Sequence, residues 1–157
     1  MSLTDTMTPF QSFLCFGTRP IADTIANILM AGLFDRFPDL RVVSLEHGSA
    51  WVKDIVKTDR AFRTKVSTTG TAKDRSLQRV PSEVMRTNVF VAPFHEESFR
   101  DLVDLTGPSQ VLFGSDWPHP EGTPTPGDLL DDLRDLTPAE VRLVAYDNAA
   151  RLLGLPA

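Results

Sequence analysis

The stretch Val111–Gly122, VLFGSDWPHPEG, runs straight from a core strand into chemistry. Val111, Leu112 and Phe113 form a short apolar run suited to a strand covered on both faces. Gly114 and Ser115 let the backbone turn, which puts Asp116 where the strand should end. Trp117, Pro118, His119 and Pro120 follow, a stiff and bulky segment with a second titratable group three residues after the first. Parallel sheets build their active sites from side chains at the carboxyl ends of strands. Asp116 is therefore a candidate metal ligand or general base. An isolated aspartate after a strand is commonly a turn or capping residue; the surrounding motif favours the functional use.

Two further stretches repeat the pattern. Leu40–Gly48, LRVVSLEHG, is a buried-strand run that ends on His47, and Asn88–Phe94, NVFVAPF, is a third that ends beside His95. Helical patterns separate them. Pro20 opens one helix, with Ile21, Ile25, Ile28, Leu29, Leu33 and Phe34 on one face and Pro38 as its stop. A second carries Trp51, Val52, Ile55, Val56 and Phe62 at helical spacing, and a third spans Glu96–Thr106 before Gly107-Pro108. Residues 1–17 read as a leader or loop, and residues 64–79 as a long surface loop. A proline-stiffened loop through Pro118, Pro120, Pro124 and Pro126 overhangs the site. Leu129, Leu130, Leu133 and Leu136 mark the next helix, Thr137–Glu140 is a capping box, and Asn148 caps a last helix through Leu153.

Strands alternating with helices in this order are repeated βα units. The expected fold is α/β, one domain over residues 1–157, with about three parallel strands and flanking helices. An eight-stranded barrel takes about 250 residues, so a chain of 157 residues supplies only part of one.

Composition narrows the partners. The chain is 41% hydrophobic and 24% charged, ordinary for a soluble protein, and its net charge of −5 argues against nucleic acid and anionic membranes. No apolar run reaches the ~18 residues of a membrane span, and the N-terminus lacks a signal-peptide pattern; a cytoplasmic location is expected. A single cysteine, Cys15, excludes an internal disulfide and a thiolate metal cluster, and reads as a small buried hydrophobe.

Taken together, GLFDRFPDLRVVSLEHGSAW (Gly32–Trp51), NVFVAPF and VLFGSDWPHPEG resemble the C-terminal part of the amidohydrolase-related family. The branch resembled is the one of aminocarboxymuconate-semialdehyde decarboxylase and related aromatic-acid decarboxylases. NAARLLG (Asn148–Gly154) resembles that family's last helix, so the likeness covers roughly residues 20–155. It implies a (β/α)8 TIM barrel with a divalent metal, usually zinc, at the carboxyl ends of its strands, and a small organic acid or amide as substrate. Asp116 matches the aspartate after the last strand, which binds the metal and takes a proton from its water. His47 matches the histidine after the sixth strand, an acid/base in decarboxylases and a ligand in some hydrolases. The chemistry suits both groups, since a metal acidifies water and an imidazole can donate a proton to a leaving carbon or heteroatom.

The sequence departs from that pattern at the metal. The family's first strand carries His-x-His and its fifth another histidine, whereas this chain has only His47, His95 and His119, none in such a pair. A catalytic zinc site takes three protein ligands and an open position. The chain alone is thus expected to be inactive and to lack the family's metal, as a C-terminal piece of a longer enzyme or a split derivative.

The remaining residues divide as follows. Trp117 is expected as a pocket wall and His119 as a pocket-lining or plain loop residue. His95 reads as a helix start, and an improvised set of His47, His95 and Asp116 at adjacent strand ends is conceivable. Glu46 should face the other way from His47 along the strand, which makes it structural. Arg60 is a solvated helix residue unless it meets a substrate carboxylate. A part-barrel also exposes a strand edge and an apolar face, so a non-catalytic half-barrel that pairs with itself or with a complementary chain is the alternative to an enzyme. An open α/β binding module ranks lower, because no strand-to-helix loop is a glycine-rich phosphate cradle.

Overall fold

Runs of β-branched residues make the sheet. In a computed structural model, which describes residues 7–17, 19–69, 79–119 and 125–156, Val42–Ser44 (β1) and Val89–Val91 (β2) pair in parallel, with Val42 opposite Val89 and Ser44 opposite Val91. The third expected strand contracts to a single parallel bridge between Val91 and Val111, with the Leu112 amide donating to the Val91 carbonyl at 2.9 Å. The three apolar runs therefore lie side by side in sequence order. All are shorter than their hydrophobic stretches.

The two faces of this sheet differ. Val42, Val89, Val91, Val111 and Phe113 pack into the main core with Ile25 and Leu29 of helix α2 (Arg19–Met30), Trp51 and Val52 of α4 (Ala50–Thr69), and Phe99, Leu102 and Val103 of α6 (Phe99–Thr106). Phe90, Ala92 and Leu112 point to the other face, where Ala149 and Leu152 of α8 (Asn148–Leu153) cover them. That cover stops short of β1, whose Val43 is 41% exposed and, just beyond the strand, Leu45 55%. The expectation of strands buried on both faces holds for β2 and fails for β1. Among the described residues β1 has a strand neighbour on one side only, and no helix is long and apolar enough to cross a membrane.

Several local expectations change. Residues 9–16, expected as loop, form helix α1 (Pro9–Phe16), whose start is a reciprocal cap: the Thr8 amide donates to Gln11 Oε1 and the Gln11 amide to Thr8 Oγ1. The single helix expected from Pro20 to Pro38 is two, because Gly32 adopts φ +62 between α2 and the short α3 (Leu33–Arg36). Helix α4 continues through residues 64–69, which were expected as loop. The leucine-marked helix is a 3-10 segment, Pro126–Leu133, with Leu129 and Leu133 buried and Leu130 exposed. Pro120, Pro124 and the side chains of Arg60 and Phe62 lie outside the described residues. Helix α6, expected from Glu96 with His95 at its start, begins only at Phe99, with Ser98 as its cap, and a short helix α5 (Pro81–Met85) starts at its proline. Other signals hold: Gly107 ends α6, and Thr137 with Glu140 forms the capping box of α7 (Pro138–Arg142).

Asn148 is no cap. The chain runs helically from α7 through a π-type turn, Leu143–Asp147, into α8, and Asn148 has helical dihedrals. Its fully buried amide instead donates to the carbonyls of Pro108 and Val111, both at 2.8 Å. Asn88, also buried, does the same for the entry to β1, donating to Pro38 O at 2.8 Å and Leu40 O at 2.7 Å. Each asparagine thus ties the amino end of one strand to a neighbouring segment. Truncating Asn148 leaves two carbonyls short of donors in the interior. Asn148→Ala is expected to lower the unfolding free energy by about 3 kcal/mol, read from urea melts.

Candidate active site

The strands leave their polar residues at one end. Leu45 and Glu46 after β1, Ala92–His95 after β2, and Gly114–Asp116 after Val111 line a cavity of about 210 Å³. Its shape begins with the turn between β1 and α4. Glu46 and Gly48 both take left-handed dihedrals (φ +58 and +59), so the chain reverses within a few residues of Ser44. Gly48 is required there for two reasons: the positive φ itself, and the Phe94 ring, which would stand 2.7 Å from a Cβ at that position.

Glu97 holds the turn in place. Its Oε2 accepts from the amides of Ser49 (2.7 Å) and Phe94 (2.9 Å), and its Oε1 from the amide of Ala50 (3.0 Å). One carboxylate therefore satisfies orphan donors at the start of α4 and fastens the end of β2 to them. The Trp51 indole adds a bond to Gly48 O at 3.0 Å from within the core.

His47 sits in this turn, partly buried, with Nδ1 2.6 Å from Leu45 O. A carbonyl only accepts, so Nδ1 carries the hydrogen and Nε2 is the bare nitrogen of the neutral ring. His47 is not among the residues lining the cavity. Its neighbour Glu46 is. The carboxylates of Glu46 and Asp116 and the His119 imidazole place ligand atoms within 4.8 Å of one another. His119 Nδ1 lies 3.3 Å from Asp116 Oδ1, and the His119 amide closes a turn onto Asp116 O at 2.9 Å. The improvised set of His47, His95 and Asp116 is not assembled among the described residues; His95 lines the cavity but pairs with Glu96 at 3.3 Å.

One sequence expectation needs correction here. Glu46 is no structural residue facing away: alternation of faces applies only inside a strand, and β1 has already ended at Ser44. The glycine-bounded turn EHG was the available signal. Trp117 is 63% exposed on the turn between Asp116 and His119, and neither it nor His119 is among the residues lining this cavity. The lining contains two carboxylates, the His95 imidazole and an apolar wall of Leu45, Ala92, Pro93 and Phe94, with no lysine or arginine among the described residues. Its potential is that of an anionic pocket.

A family model described as Amidohydrolase matches residues 6–155. A 2-amino-3-carboxymuconate-6-semialdehyde decarboxylase from Dictyostelium discoideum is 25% identical over 132 residues, which are 83% of this chain and 36% of that protein. Among solved structures, an amidohydrolase from Mycobacterium avium subsp. paratuberculosis K-10 is 32% identical at a TM-score of 0.80, covering 94% of this chain and 36% of its own. A 5-carboxyvanillate decarboxylase from Sphingomonas paucimobilis is 25% identical at a TM-score of 0.64, covering 90% of this chain and 41% of its own. The enzyme of that name from Novosphingobium aromaticivorans, a neighbour in fold at 16% identity and a TM-score of 0.65, was crystallised with manganese; it covers 85% of this chain and 38% of its own. The chain thus spans well under half the length of each of these proteins.

The turn that carries Glu46 and His47 depends on Gly48 and Glu97. Gly48→Ala combines a left-handed backbone with a clash against Phe94 and is expected to cost about 2 kcal/mol or more. Glu97→Gln replaces one acceptor oxygen by a donor opposite backbone amides and is expected to cost about 2 kcal/mol. Denaturant unfolding of the two variants measures both.

Proposed function

This chain belongs to the amidohydrolase family, and on that premise we propose that it is the catalytic-carboxylate part of a metal-dependent hydrolase or carboxy-lyase acting on a small organic acid or amide. The observation that carries the reading is the position of Asp116, at the carboxyl end of the third strand stretch and on the wall of the cavity. The inferred cofactor is a divalent metal, zinc or manganese. Asp116 would hold it, and the donor chemistry fits: a carboxylate with a second carboxylate and an imidazole close by. A divalent metal supplies Lewis acidity, polarising a substrate oxygen and acidifying water.

The chain's own residues divide the proton work. Asp116, ionised, accepts a proton from water in a hydrolysis. His47 has one nitrogen pinned to a carbonyl, so a proton gained at Nε2 is the one it can return. In a decarboxylation the electron pair of the broken C–C bond stays on the substrate carbon, carbon dioxide leaves, and that carbon takes a proton of this kind. Pro93, Phe94, Ala92 and Leu45 offer the flat apolar wall that an aromatic or unsaturated acid would use.

A second reading rests on the uncovered β1. Its exposed Val43 and adjacent Leu45 and its open edge favour docking of this chain to itself or to a complementary chain that continues the sheet. The two readings combine in one expectation, that the chain by itself does not turn over substrate.

The test pairs the chain with the part of the 5-carboxyvanillate decarboxylase that it does not match, supplies Mn²⁺ or Zn²⁺, and follows loss of aromatic carboxylic acids by absorbance. Turnover should appear only with both chains present and fall about 10³-fold in Asp116→Asn. Turnover unaffected by that substitution, or none from a complex shown to assemble, would overturn the reading.

A further inference from the structure

We infer that Glu97 is the positioning residue for His47: by anchoring the turn after β1 it holds the ring with its hydrogen on Nδ1 and its lone pair on Nε2. The inference rests on the proton role given to His47 above and names what keeps that imidazole in one tautomer.

The turn does not hold itself. Glu46 and Gly48 flank His47 with left-handed dihedrals, φ +58 and +59. Glycine takes that conformation freely, whereas a glutamate takes it where its surroundings impose it. Among the described residues the only other side-chain-bearing residue with such a φ is Asp116, at +55, and it too lines the cavity. The hydrogen bond that orients the ring, from Nδ1 to the Leu45 carbonyl at 2.6 Å, reaches back across Glu46. A Glu46 relaxed to the extended region would swing that carbonyl away from the imidazole, so the bond exists only while the turn does.

What imposes the turn is a carboxylate distant in sequence. On the strand side, Ser44 O accepts from the Ala92 amide at 3.1 Å. On the helix side, the Ser49 and Ala50 amides donate to Glu97 at 2.7 and 3.0 Å, and the same side chain takes the Phe94 amide at 2.9 Å. Between these anchors Gly48 is pressed against the same two residues, since a Cβ there would stand 2.7 Å from the Phe94 ring and 3.0 Å from Glu97 Oε2. The bonds to Ser49 and Ala50 are charge-assisted and sit at the positive end of α4, which makes this the stronger of the two anchors.

The chemical consequence is a single working nitrogen. An imidazole that is to give and take a proton at one place must keep its other nitrogen occupied in both charge states. Leu45 O accepts from Nδ1 whether the ring is neutral or protonated, which confines exchange to Nε2. Glu97 achieves this through the backbone.

Nitrogen-15 spectra of the histidine side chains in the intact chain, recorded about two pH units above the ordinary histidine value, test the inference without metal or turnover. The parent should show His47 with a pyrrole-type Nδ1 and a pyridine-type Nε2, identified by the loss of that pair in His47→Gln. In Glu97→Gln the two shifts should move toward each other as both tautomers become populated. Asn148→Ala, a destabilising change at the opposite ends of the strands, should leave the pair as in the parent, which a merely structural effect would not. Glu97→Asp keeps the charge but draws the oxygens back, and carries the same expectation should Glu97→Gln not fold. A parent ring protonated at Nε2, a pair unchanged in a folded Glu97 variant, or one equally disturbed in Asn148→Ala overturns the inference. None of these outcomes touches Asp116 or its turnover test, so failure here and failure of the proposed function are read apart.

Discussion

The carboxylate of Glu97, shared among the amides of Ser49, Ala50 and Phe94, is the interaction on which the geometry of the site depends. The sheet beneath it is small: three paired positions between β1 and β2 and one bridge to Val111. A ladder so short fixes strand direction but says little about where the following turns go. Glu97 settles that for two of the three strand ends at once, at about 1.5–3 kcal/mol for each charge-assisted bond. It works only because Gly48 lets the chain pass beneath the Phe94 ring. Remove the side chain that a glycine lacks, and a long helix, a strand end and a turn bearing two titratable residues fall into one register.

At the opposite ends of the strands the buried groups are two neutral amides. Asn88 and Asn148 are buried, and each spends its amide on two carbonyls in the segments that lead into the sheet. Arg79 extends the first of these, reaching Asn88 Oδ1 at 3.1 Å and Phe34 O at 2.7 Å. Amides at one end and carboxylates at the other give the layer a polarity of use. Uncharged donors suit a closed interior, where an unpaired charge is costly, and charged groups collect where the cavity opens to water. This is the division between stability and chemistry expected of parallel β/α architectures.

Much of this was legible in the sequence because it is local. Apolar runs of valine and leucine located all three strand stretches, proline and glycine punctuated the helices, and Thr137–Glu140 announced its own cap. What was misread depended on where an element stops. Face alternation assigned Glu46 to the wrong side because β1 ends at Ser44, three residues before the His47 end that its run suggests. Asn148 looked like a cap because asparagine so often is one; only the arrival of the Pro108 and Val111 carbonyls, some forty positions away, shows its use. Thr8 and Gln11 were a legible cap that went unread for want of a periodic helix behind it. The convergence of Glu46 with Asp116 and His119 is tertiary and had no sequence signature.

The two tryptophans of the chain stand on either side of this site in opposite surroundings. Trp51 is buried and hydrogen-bonded to the carbonyl of Gly48, while Trp117 projects into solvent between Asp116 and His119. One indole therefore emits from a fixed, dry environment and the other from a wet one, in the turn between Asp116 and His119. The molecule contains a built-in optical reporter with its own internal reference: whatever settles between those two residues will be seen in the red-shifted part of the emission, against a blue component that stays constant for as long as the turn at Gly48 remains folded.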